Sequence, residues 1–113
     1  MTNQYIPKEG NIIYLDFEPS AGSEIRKRRP ALVVSVIGMN KQGFAYVVPI
    51  TSTAVQPELL NPRIDGAKVK GHLCTTQLRS LDYVARNAEF VETVAKSDLT
   101  QVREVLKHLM GIA

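Results

Sequence analysis

Four consecutive cations at residues 26–29 form the densest cluster of chemically capable side chains in this 113-residue sequence. The cluster, Arg26-Lys27-Arg28-Arg29, follows Glu24 and runs through Pro30 into an apolar segment at residues 31–37. A residue that precedes proline is biased toward extended backbone, so we expect Arg29 to enter a strand in a restricted conformation. A guanidinium held in this way can bind a phosphate in bidentate fashion, whereas the alternative interpretation is a solvated basic loop.

A possible site that needs neither histidine nor metal combines Arg29, Thr51, Glu24 and the pair Thr76-Gln77. An arginine can neutralise charge that develops on a phosphate in flight, and the hydroxyl of Thr51 can donate to the same oxygens. Each residue also has a structural interpretation. Thr51 can be a plain hydroxyl at a strand end, and Glu24 can pair with a neighbouring cation of its loop.

The remaining chemically capable residues indicate less. His108 is best explained as a charge complement to a helix C-terminus, and His72 as either a solvated strand residue or a phosphate contact. No carboxylate and histidine pair has the spacing of a metal site, so none is predicted. The single cysteine, Cys74, excludes an intrachain disulfide and is expected to be a small buried thiol.

The composition is that of a folded globular protein, with 44% hydrophobic and 22% charged residues. A net charge of +3 and a pI near 9.2 favour polyanionic partners weakly, although much of the excess lies at residues 26–29. We expect one domain over residues 1–113. Residues 1–5 lack the pattern of a signal peptide, and no uncharged apolar run reaches about 18 residues, so we expect a cytoplasmic protein without a membrane segment.

Alternating and apolar segments predict strands at residues 11–17, 31–37, 44–50, 69–74 and 87–94. In the first of these, Ile13, Leu15 and Phe17 share the expected core face. A hairpin-type connection at residues 38–43 predicts that the second and third strands are antiparallel. Pro49 is expected at a sheet edge or where its strand leaves the sheet. Residues 57–68 indicate a loop, and residues 75–82 a helical turn or irregular link.

The C-terminal segment contains the clearest helix pattern, since Leu99, Val102, Leu106 and Leu109 recur at helical spacing. Ser97 is the expected N-cap, and Gly111 the expected stop. The predicted fold class is therefore mainly β with α. We expect a small, curved barrel of about five mostly antiparallel strands with a helix packed against it.

Several segments, in the same order and spacing, resemble the MazF/PemK family of toxins from type II toxin-antitoxin systems. They are GNIIYLDF at residues 10–17, GSE at 22–24, RPALVVS at 29–35, PITS at 49–52 and QLRSLD at 77–82. The resemblance extends from about Gly10 to the C-terminal helix.

This resemblance implies an SH3-like barrel of the CcdB/MazF type, assembled as a homodimer. It implies a metal-independent endoribonuclease, without a cofactor, that cuts single-stranded RNA at short motifs. The RNA is chiefly messenger RNA, so translation and growth would stop. The implied reaction uses the ribose 2′-hydroxyl as nucleophile and leaves a 2′,3′-cyclic phosphate and a free 5′-hydroxyl.

Carried over by position, the resemblance implies that Arg29 and Thr51 are the catalytic pair and that Glu24 occupies the family's acidic loop position at the site. The residues expected to contact RNA are Arg26, Lys27, Arg28, Ser52, Lys70, Thr76, Gln77 and Arg79. A guanidinium, whose pKa exceeds about 12, is a poor base. Arg29 is therefore assigned to phosphate stabilisation and proton donation, and the base is left unassigned.

Two departures from the family pattern are Tyr83, where a cation is common, and the very basic Arg26-Lys27-Arg28 run. Both are expected near the RNA groove, where they would alter the RNA motif more than the reaction. The family's natural partner is an acidic, MazE-like antitoxin whose tail occupies the RNA groove. Here the cationic loop and the Lys68, Lys70 and His72 face would attract either polyanion, with salt-sensitive affinity.

Two other functions remain open at this point. The first is a toxin of the same fold that poisons DNA gyrase by binding it. Gyrase poisons of this fold share a C-terminal tryptophan contact, and this sequence contains no tryptophan. The second is an inactive member that only binds RNA or an antitoxin, which the presence of both Arg29 and Thr51 does not support.

Overall fold

Seven strands and two helices make up the part of the chain that the computed structural model describes, which is residues 4–17, 22 and 27–112. The strands are β1 (Asn11–Asp16), β2 (Arg28–Val33), β3 (Phe44–Thr51), β4 (Arg63–Asp65), β5 (Lys70–Leu73), β6 (Arg79–Asp82) and β7 (Glu89–Thr93). The helices are the single turn α1 (Ile37–Asn40) and the long α2 (Lys96–Met110). A 3-10 turn at Thr75–Gln77 lies between β5 and β6.

All strand pairings in the described residues are antiparallel, and the strand order is β4-β5-β3-β2-β1-β7. β6 pairs with β3 outside this path. The eight-residue β3 is therefore the central strand, because it pairs with β2 along one edge and with β6 and then β5 along the other. The predicted fold class, a mostly antiparallel β half-barrel with a C-terminal helix, is confirmed.

The sheet has a hydrophobic core on each face. On the face that we call the first-core face, buried residues include Ile13, Leu15, Ala31 and Val47. On the opposite, second-core face, the buried residues are Ile12, Leu32, Val48 and Ile50 of β1 to β3, with Ile64, Leu73 and two α2 residues, Val102 and Leu106. Successive residues of a strand point to opposite faces, so β1 to β3 supply both cores with alternate side chains. Ile13, Leu15 and Phe17 are buried together, as predicted.

Two strands lie where no strand was predicted. β4 lies within the expected loop, and β6 lies within the expected link. β4 is only three residues long and places a single buried side chain, Ile64, in the second core, so no alternating pattern was detectable. β6 is amphipathic over four residues, too few to separate a strand from a helical turn by periodicity alone.

The boundaries of β2 were also predicted wrongly, since it runs from Arg28 to Val33 rather than from residue 31 to 37. Pro30 is not the entry to the strand but a member of it, opposite Tyr14 of β1. Residues 37–40 form the turn α1, in which the backbone N–H of Lys41 donates to the carbonyl of Ile37 at 2.9 Å. The predicted antiparallel pairing of β2 and β3 is confirmed.

Pro49 lies at neither an edge nor an exit, because it is buried in β3 opposite Ala31. Its carbonyl accepts a hydrogen bond from the backbone N–H of Cys74 at 2.8 Å, on the side away from β2. The Pro49 nitrogen, which has no hydrogen to donate, lies on the same side. At this point β3 passes from pairing with β6, at Val47 and Arg79, to pairing with β5, at Ile50 and Leu73. A proline is tolerated in this central strand because β3 changes partner there.

Helix α2 begins one residue before the predicted N-cap. Ala95 is the N-cap and gives no side-chain capping bond, while Asp98 lies in the first turn as expected. Val102 and Leu106 are buried, Leu99 packs beside them, and Leu109 is 41% exposed. Gly111 ends the helix with φ of 69°, the left-handed conformation that glycine adopts without strain. No helix of the described residues is long and apolar enough to cross a membrane.

Candidate active site

Arg29 lies on β2 directly opposite Leu15, a first-core residue of β1. Directly opposed residues of an antiparallel pair project from the same face, so Arg29 extends the first-core face toward solvent. It is half-buried. The backbone at this position is fixed by pairing with β1 at both neighbours, Arg28 and Pro30. Arg29 therefore has the expected strand geometry. Both the following proline and the pairing of β2 with β1 hold its backbone in place.

Thr51 ends β3 on the same face. The last β2–β3 pair is Ala31 with Pro49, and Arg29 and Thr51 lie two residues beyond it on their respective strands. Because side chains repeat every two residues along a strand, both residues point to the face of Ala31. The Thr51 hydroxyl oxygen accepts a hydrogen bond from the backbone N–H of Thr53 at 3.3 Å, which leaves its own hydrogen to donate.

Arg79 adds a second cation to this face. It lies on β6 opposite Val47 of the first core. Its guanidinium carbon is 5.6 Å from the ring centroid of Phe17, and Nη1 donates to the Phe17 carbonyl at 3.5 Å. These contacts orient Arg79 at the end of the first core, on the face that also carries Arg29 and Thr51.

Arg28 lies on the opposite face from Arg29, although the two are adjacent in sequence. Its guanidinium pairs with Asp16 at 3.2 Å and with Glu89, donates to the Asn87 carbonyl at 2.8 Å and lies 5.3 Å from the Tyr14 ring centroid. The interactions join β2 to β1 and β7. An RNA contact by Arg28 stays a prediction, but it would have to compete with these partners.

Cys74 is buried directly after β5, as predicted, and is only 4% exposed. Burial raises the pKa of its thiol, and the positive charge of Arg29 opposes that rise. Cys74 forms the junction between β5 and the 3-10 turn. Burial favours the neutral thiol.

The 3-10 turn brings Gln77 to this junction, where it is half-buried, and leaves Thr76 exposed. Its position is fixed by Thr75, whose hydroxyl donates to the Leu60 carbonyl at 2.7 Å and whose N–H donates to the Asn61 side chain at 3.0 Å. Thr75 is 3% exposed, so the turn is anchored from below. The adjacent pair Thr76-Gln77 can therefore face a ligand on a rigid support.

Lys70 lies on β5 opposite Asp65 of β4, is exposed and donates to the Gly66 carbonyl at 3.3 Å. The turn beside it, residues 66–69, is held by Glu92 of β7. The Glu92 carboxylate accepts hydrogen bonds from the backbone N–H groups of Ala67, Lys68 and Val69 at 2.7–3.0 Å. Burial raises the pKa of Glu92, but these three hydrogen bonds outweigh burial and the net direction is downward.

The other predicted site residues lie at the margin of this face or outside the described residues. Ser52 is exposed next to Thr51. Lys27 is exposed with φ of 68°, and its carbonyl accepts from the Phe17 N–H at 3.0 Å. Glu24 and Arg26 fall outside the described residues, so their roles stay predictions.

Tyr83 does not lie at the groove, which corrects the expectation that it alters RNA recognition. It is 5% exposed, belongs to the first core and donates its hydroxyl hydrogen to the Asn40 carbonyl. The predicted cationic face is confirmed for Lys70 and His72, which lie opposite buried Gly71 and Leu73 on β5. Lys68 does not belong to this strand, because it lies in the turn before β5.

Two supporting residues were not identified from the sequence. A Cβ on Gly71 would lie 2.5 Å from the Thr51 carbonyl oxygen, so only glycine lets β5 approach the end of β3 this closely. The signal was available, since a glycine inside a strand pattern indicates close backbone approach. Glu92 gave no such signal, because its contacts with residues 67–69 are distant in sequence. In the part of the chain that the structure describes, no group of three or more His, Cys, Asp and Glu side chains could hold a metal ion.

Comparison with known proteins gives a consistent result. A family model described as a PemK-like, MazF-like toxin of type II toxin-antitoxin systems matches residues 8–110. The endoribonuclease toxin MazF of Escherichia coli K12 is 32% identical over 98% of this chain and 100% of that protein. Endoribonuclease MazF9 of Mycobacterium tuberculosis is 31% identical over 88% of this chain and 92% of that protein.

Solved structures agree with these relatives. The crystal structure of MazF from Deinococcus radiodurans superposes with a TM-score of 0.89 at 33% identity, covering 96% of this chain and 100% of that one. A MazE-MazF complex from the same organism matches with a TM-score of 0.82 at 29% identity, over 97% and 100% of the two chains. The chain therefore belongs to the MazF/PemK family of type II toxin-antitoxin toxins, as an endoribonuclease of that family. The family and enzyme class inferred from the sequence motifs are confirmed.

Proposed function

We propose that this protein is a metal-independent endoribonuclease that cuts single-stranded RNA, chiefly messenger RNA, at short sequence motifs and so inhibits translation and growth. The observation that carries the proposal is the β2–β3 register, which extends Arg29 and Thr51 from one face of adjacent strands. RNA of this kind lies in the cytoplasm, so the protein acts there.

In the proposed reaction the ribose 2′-hydroxyl attacks the neighbouring phosphorus and the bond to the 5′ oxygen breaks. The products are a 2′,3′-cyclic phosphate and a free 5′-hydroxyl. Arg29 holds the phosphate and neutralises the charge that develops on its oxygens, and Thr51 donates its hydroxyl hydrogen to the same group. Glu24 acts at the same site from its loop.

RNA flanking the cleaved bond would lie along the face that carries Arg79, Ser52, Thr76 and Gln77, and would reach Lys70 on β5. Arg26 and Lys27, which precede β2, would supply further charge. Arg28 would add to this charge only by leaving Asp16 and Glu89, so its contribution to RNA binding would be small. Contacts of this kind neutralise phosphates, so binding should weaken as salt is added.

The partner proposed for the same surface is an acidic, MazE-like antitoxin. A chain tail rich in carboxylates is attracted by the same cations as RNA, so it would exclude the substrate from the site. The proposal is supported by the MazE-MazF complex from Deinococcus radiodurans, a structure to which this chain is similar.

We further propose that the protein is a homodimer. An apolar groove of about 340 Å³ lies between β3 and the end of α2, lined by residues that include Val36, Tyr46, Met110 and Ile112. Each of these four side chains is at least 44% exposed. A contiguous apolar surface at this site is typical of a protein contact, and a second copy of this chain would bury it.

The decisive experiment is incubation of purified protein with a long single-stranded RNA in excess chelator, followed by mapping of the new 5′ ends. Cuts at one short motif with free 5′-hydroxyls are expected. Arg29→Ala should lower the cleavage rate by at least about 100-fold while thermal unfolding stays unchanged, because the lost group acts on the transition state. Undiminished cleavage by this folded variant would contradict the role proposed for Arg29. If the wild-type protein leaves the RNA intact, a toxin that acts by binding its target would be the better proposal.

A further inference from the structure

We propose that His72 is the general base of the cleavage reaction, accepting the proton of the ribose 2′-hydroxyl. The inference rests on the proposed function and assigns the one role that Arg29 and Thr51 leave open. Neither a guanidinium nor a threonine hydroxyl accepts a proton readily near neutral pH.

The strand register places His72 beside the proposed catalytic pair. His72 on β5 is the direct partner of Thr51 on β3. Side chains of directly opposed residues leave the sheet on the same face, with Cβ atoms about 4.5–5.5 Å apart. Arg29, Thr51 and His72 therefore form one row across β2, β3 and β5. The phosphate held by the first two residues lies within the reach of an imidazole ring.

The imidazole has an unused hydrogen-bonding group. His72 is half-buried, and its Nδ1 is buried with no hydrogen-bond partner among the described residues. A buried polar atom without a partner is costly and calls for a functional explanation. With Nδ1 enclosed, Nε2 is the ring nitrogen that we assign to the proton transfer.

The charged groups around the ring leave it available for proton transfer. Asp65 of β4 is held by Arg63, whose Nη2 lies 2.9 Å from the carboxylate and whose Nε donates to it at 3.1 Å. Arg63 is itself the direct partner of His72 from β4, and Lys70 is the nearest cation on β5. The carboxylate of Asp65 is thus engaged by Arg63.

Other proton acceptors on this face are poorer candidates. Burial raises the pKa of the Cys74 thiol, which keeps it neutral. The Asp65 carboxylate is held in an ion pair by Arg63. Histidine is the side-chain type that most often acts as a general base, and His72 lies on this face beside Thr51.

Nε2 of His72 takes the proton from the 2′-hydroxyl as the 2′-oxygen forms its bond to phosphorus. The bond from phosphorus to the 5′ oxygen breaks, and that oxygen takes a proton from Arg29, which then regains one from the solvent. The imidazolium then returns its proton to the solvent, so no net proton is consumed.

The test is single-turnover cleavage of an RNA oligonucleotide carrying the motif mapped with the wild-type protein, measured from pH 5 to pH 9. The wild-type rate should rise with pH in the acidic part of this range and then level off, because a general base must be unprotonated to accept the proton. His72→Gln should lower the plateau by at least about 100-fold and remove this dependence. His108→Gln, at the far end of α2, is the matched control and should retain the wild-type profile.

RNA binding by the variant distinguishes a catalytic role of His72 from a structural one. His72→Gln should bind a version of the oligonucleotide with 2′-deoxyribose at the cut site as tightly as the wild-type protein does. Loss of that binding would instead indicate a structural or RNA-holding role and would overturn the proposal. A cleavage rate of His72→Gln within about threefold of the wild-type rate would also overturn the proposal. The same holds if the rise of the rate with pH in the acidic range is lost in Glu24→Gln but kept in His72→Gln. A wild-type protein that leaves all RNA intact would remove the proposed function and this inference together.

Discussion

Arg28 and Arg29 are chemically identical neighbours with different tasks, because β2 turns successive side chains to opposite faces. Arg28 binds Asp16 and Glu89 and lies against Tyr14. Arg29 extends the first-core face beside Thr51. The position of each arginine in the strand, more than the charge of the run, decides its role.

A pair of substitutions should separate these roles. Arg28→Ala removes two ion pairs that join β2 to β1 and β7, so its thermal midpoint should fall while cleavage stays within about threefold of wild type. Arg29→Ala should show the reverse, with an unchanged midpoint and lost cleavage. Melting curves and single-turnover rates on the two proteins give the answer. A large loss of cleavage in Arg28→Ala at an unchanged midpoint would show that it contacts RNA after all.

The carboxylate bound by Arg28 should contribute to acid sensitivity. A hydrogen bond from Asn87, followed by one from Arg28, lowers the pKa of Asp16. Its stabilising contribution is therefore complete above the unfolded value of about 3.9 and is lost as pH falls through the lower folded value. Urea midpoints should fall between pH 5 and pH 2, and less so in Asp16→Asn. Glu58→Gln, in an exposed turn, is the control and should show the same drop in urea midpoint between pH 5 and pH 2 as the wild-type protein. The same drop in Asp16→Asn and Glu58→Gln would contradict the role assigned to Asp16.

At the scale of elements, the approach of β5 to β3 positions Thr51 and His72, and Gly71 permits it. A Cβ there would meet the Thr51 carbonyl oxygen at 2.5 Å and Ile50 Cγ2 at 3.0 Å. The first of these atoms is backbone and cannot rotate away, so the strands would have to separate.

Gly71→Ala should therefore lower the cleavage rate by at least about tenfold and the free energy of unfolding by about 1–3 kcal/mol. Gly38→Ala is the matched control, because a Cβ on Gly38 meets no atom within 4 Å. The control should equal wild type in urea unfolding and in single-turnover cleavage. Equal behaviour of the two alanine variants would show that β5 tolerates a side chain at this position.

The sequence predicted elements where local patterns were long enough to detect. The alternation of Ile13, Leu15 and Phe17 and the helical spacing of Val102 and Leu106 were sufficient for β1 and α2. β4 and β6 were missed because strands of three and four residues carry little periodicity, and their pairing depends on distant partners. The site followed the same rule. Arg29 and Thr51 were predicted from motifs, and their placement on one face agrees with that prediction, although their roles stay predictions. The opposite orientation of Arg28 depended on a β2 start that the sequence placed three residues late.

At the scale of the whole molecule, Asn40 connects parts of the chain that are far apart in sequence. The side-chain amide of Asn40 donates to the Pro7 carbonyl at 2.7 Å and to the Ser35 carbonyl at 3.1 Å. The backbone carbonyl of Asn40 accepts a hydrogen bond from the Tyr83 hydroxyl. The side chain is fully buried. This network ties the N-terminal segment and α1 to the residue that follows β6.

Asn40→Ala should lower the free energy of unfolding by about 2–4 kcal/mol, since two buried carbonyls lose their donors. Gln42→Ala, an exposed position in the same connection, should change it by less than about 0.5 kcal/mol. Urea unfolding followed by circular dichroism measures both. A difference below about 1 kcal/mol between the two variants would mean that water replaces the amide.

The pairing of β1 with β7 means that the first strand of the sheet is completed by the last. A chain emerging from the ribosome presents its N-terminal residues first. Until residues 89–93 have followed, one edge of β1 has no partner, and until α2 has followed, the second core has no cover. The finished fold thus becomes available only after β7 and α2 have been synthesised. For an endoribonuclease, this order of synthesis postpones activity until β7 and α2 have been translated.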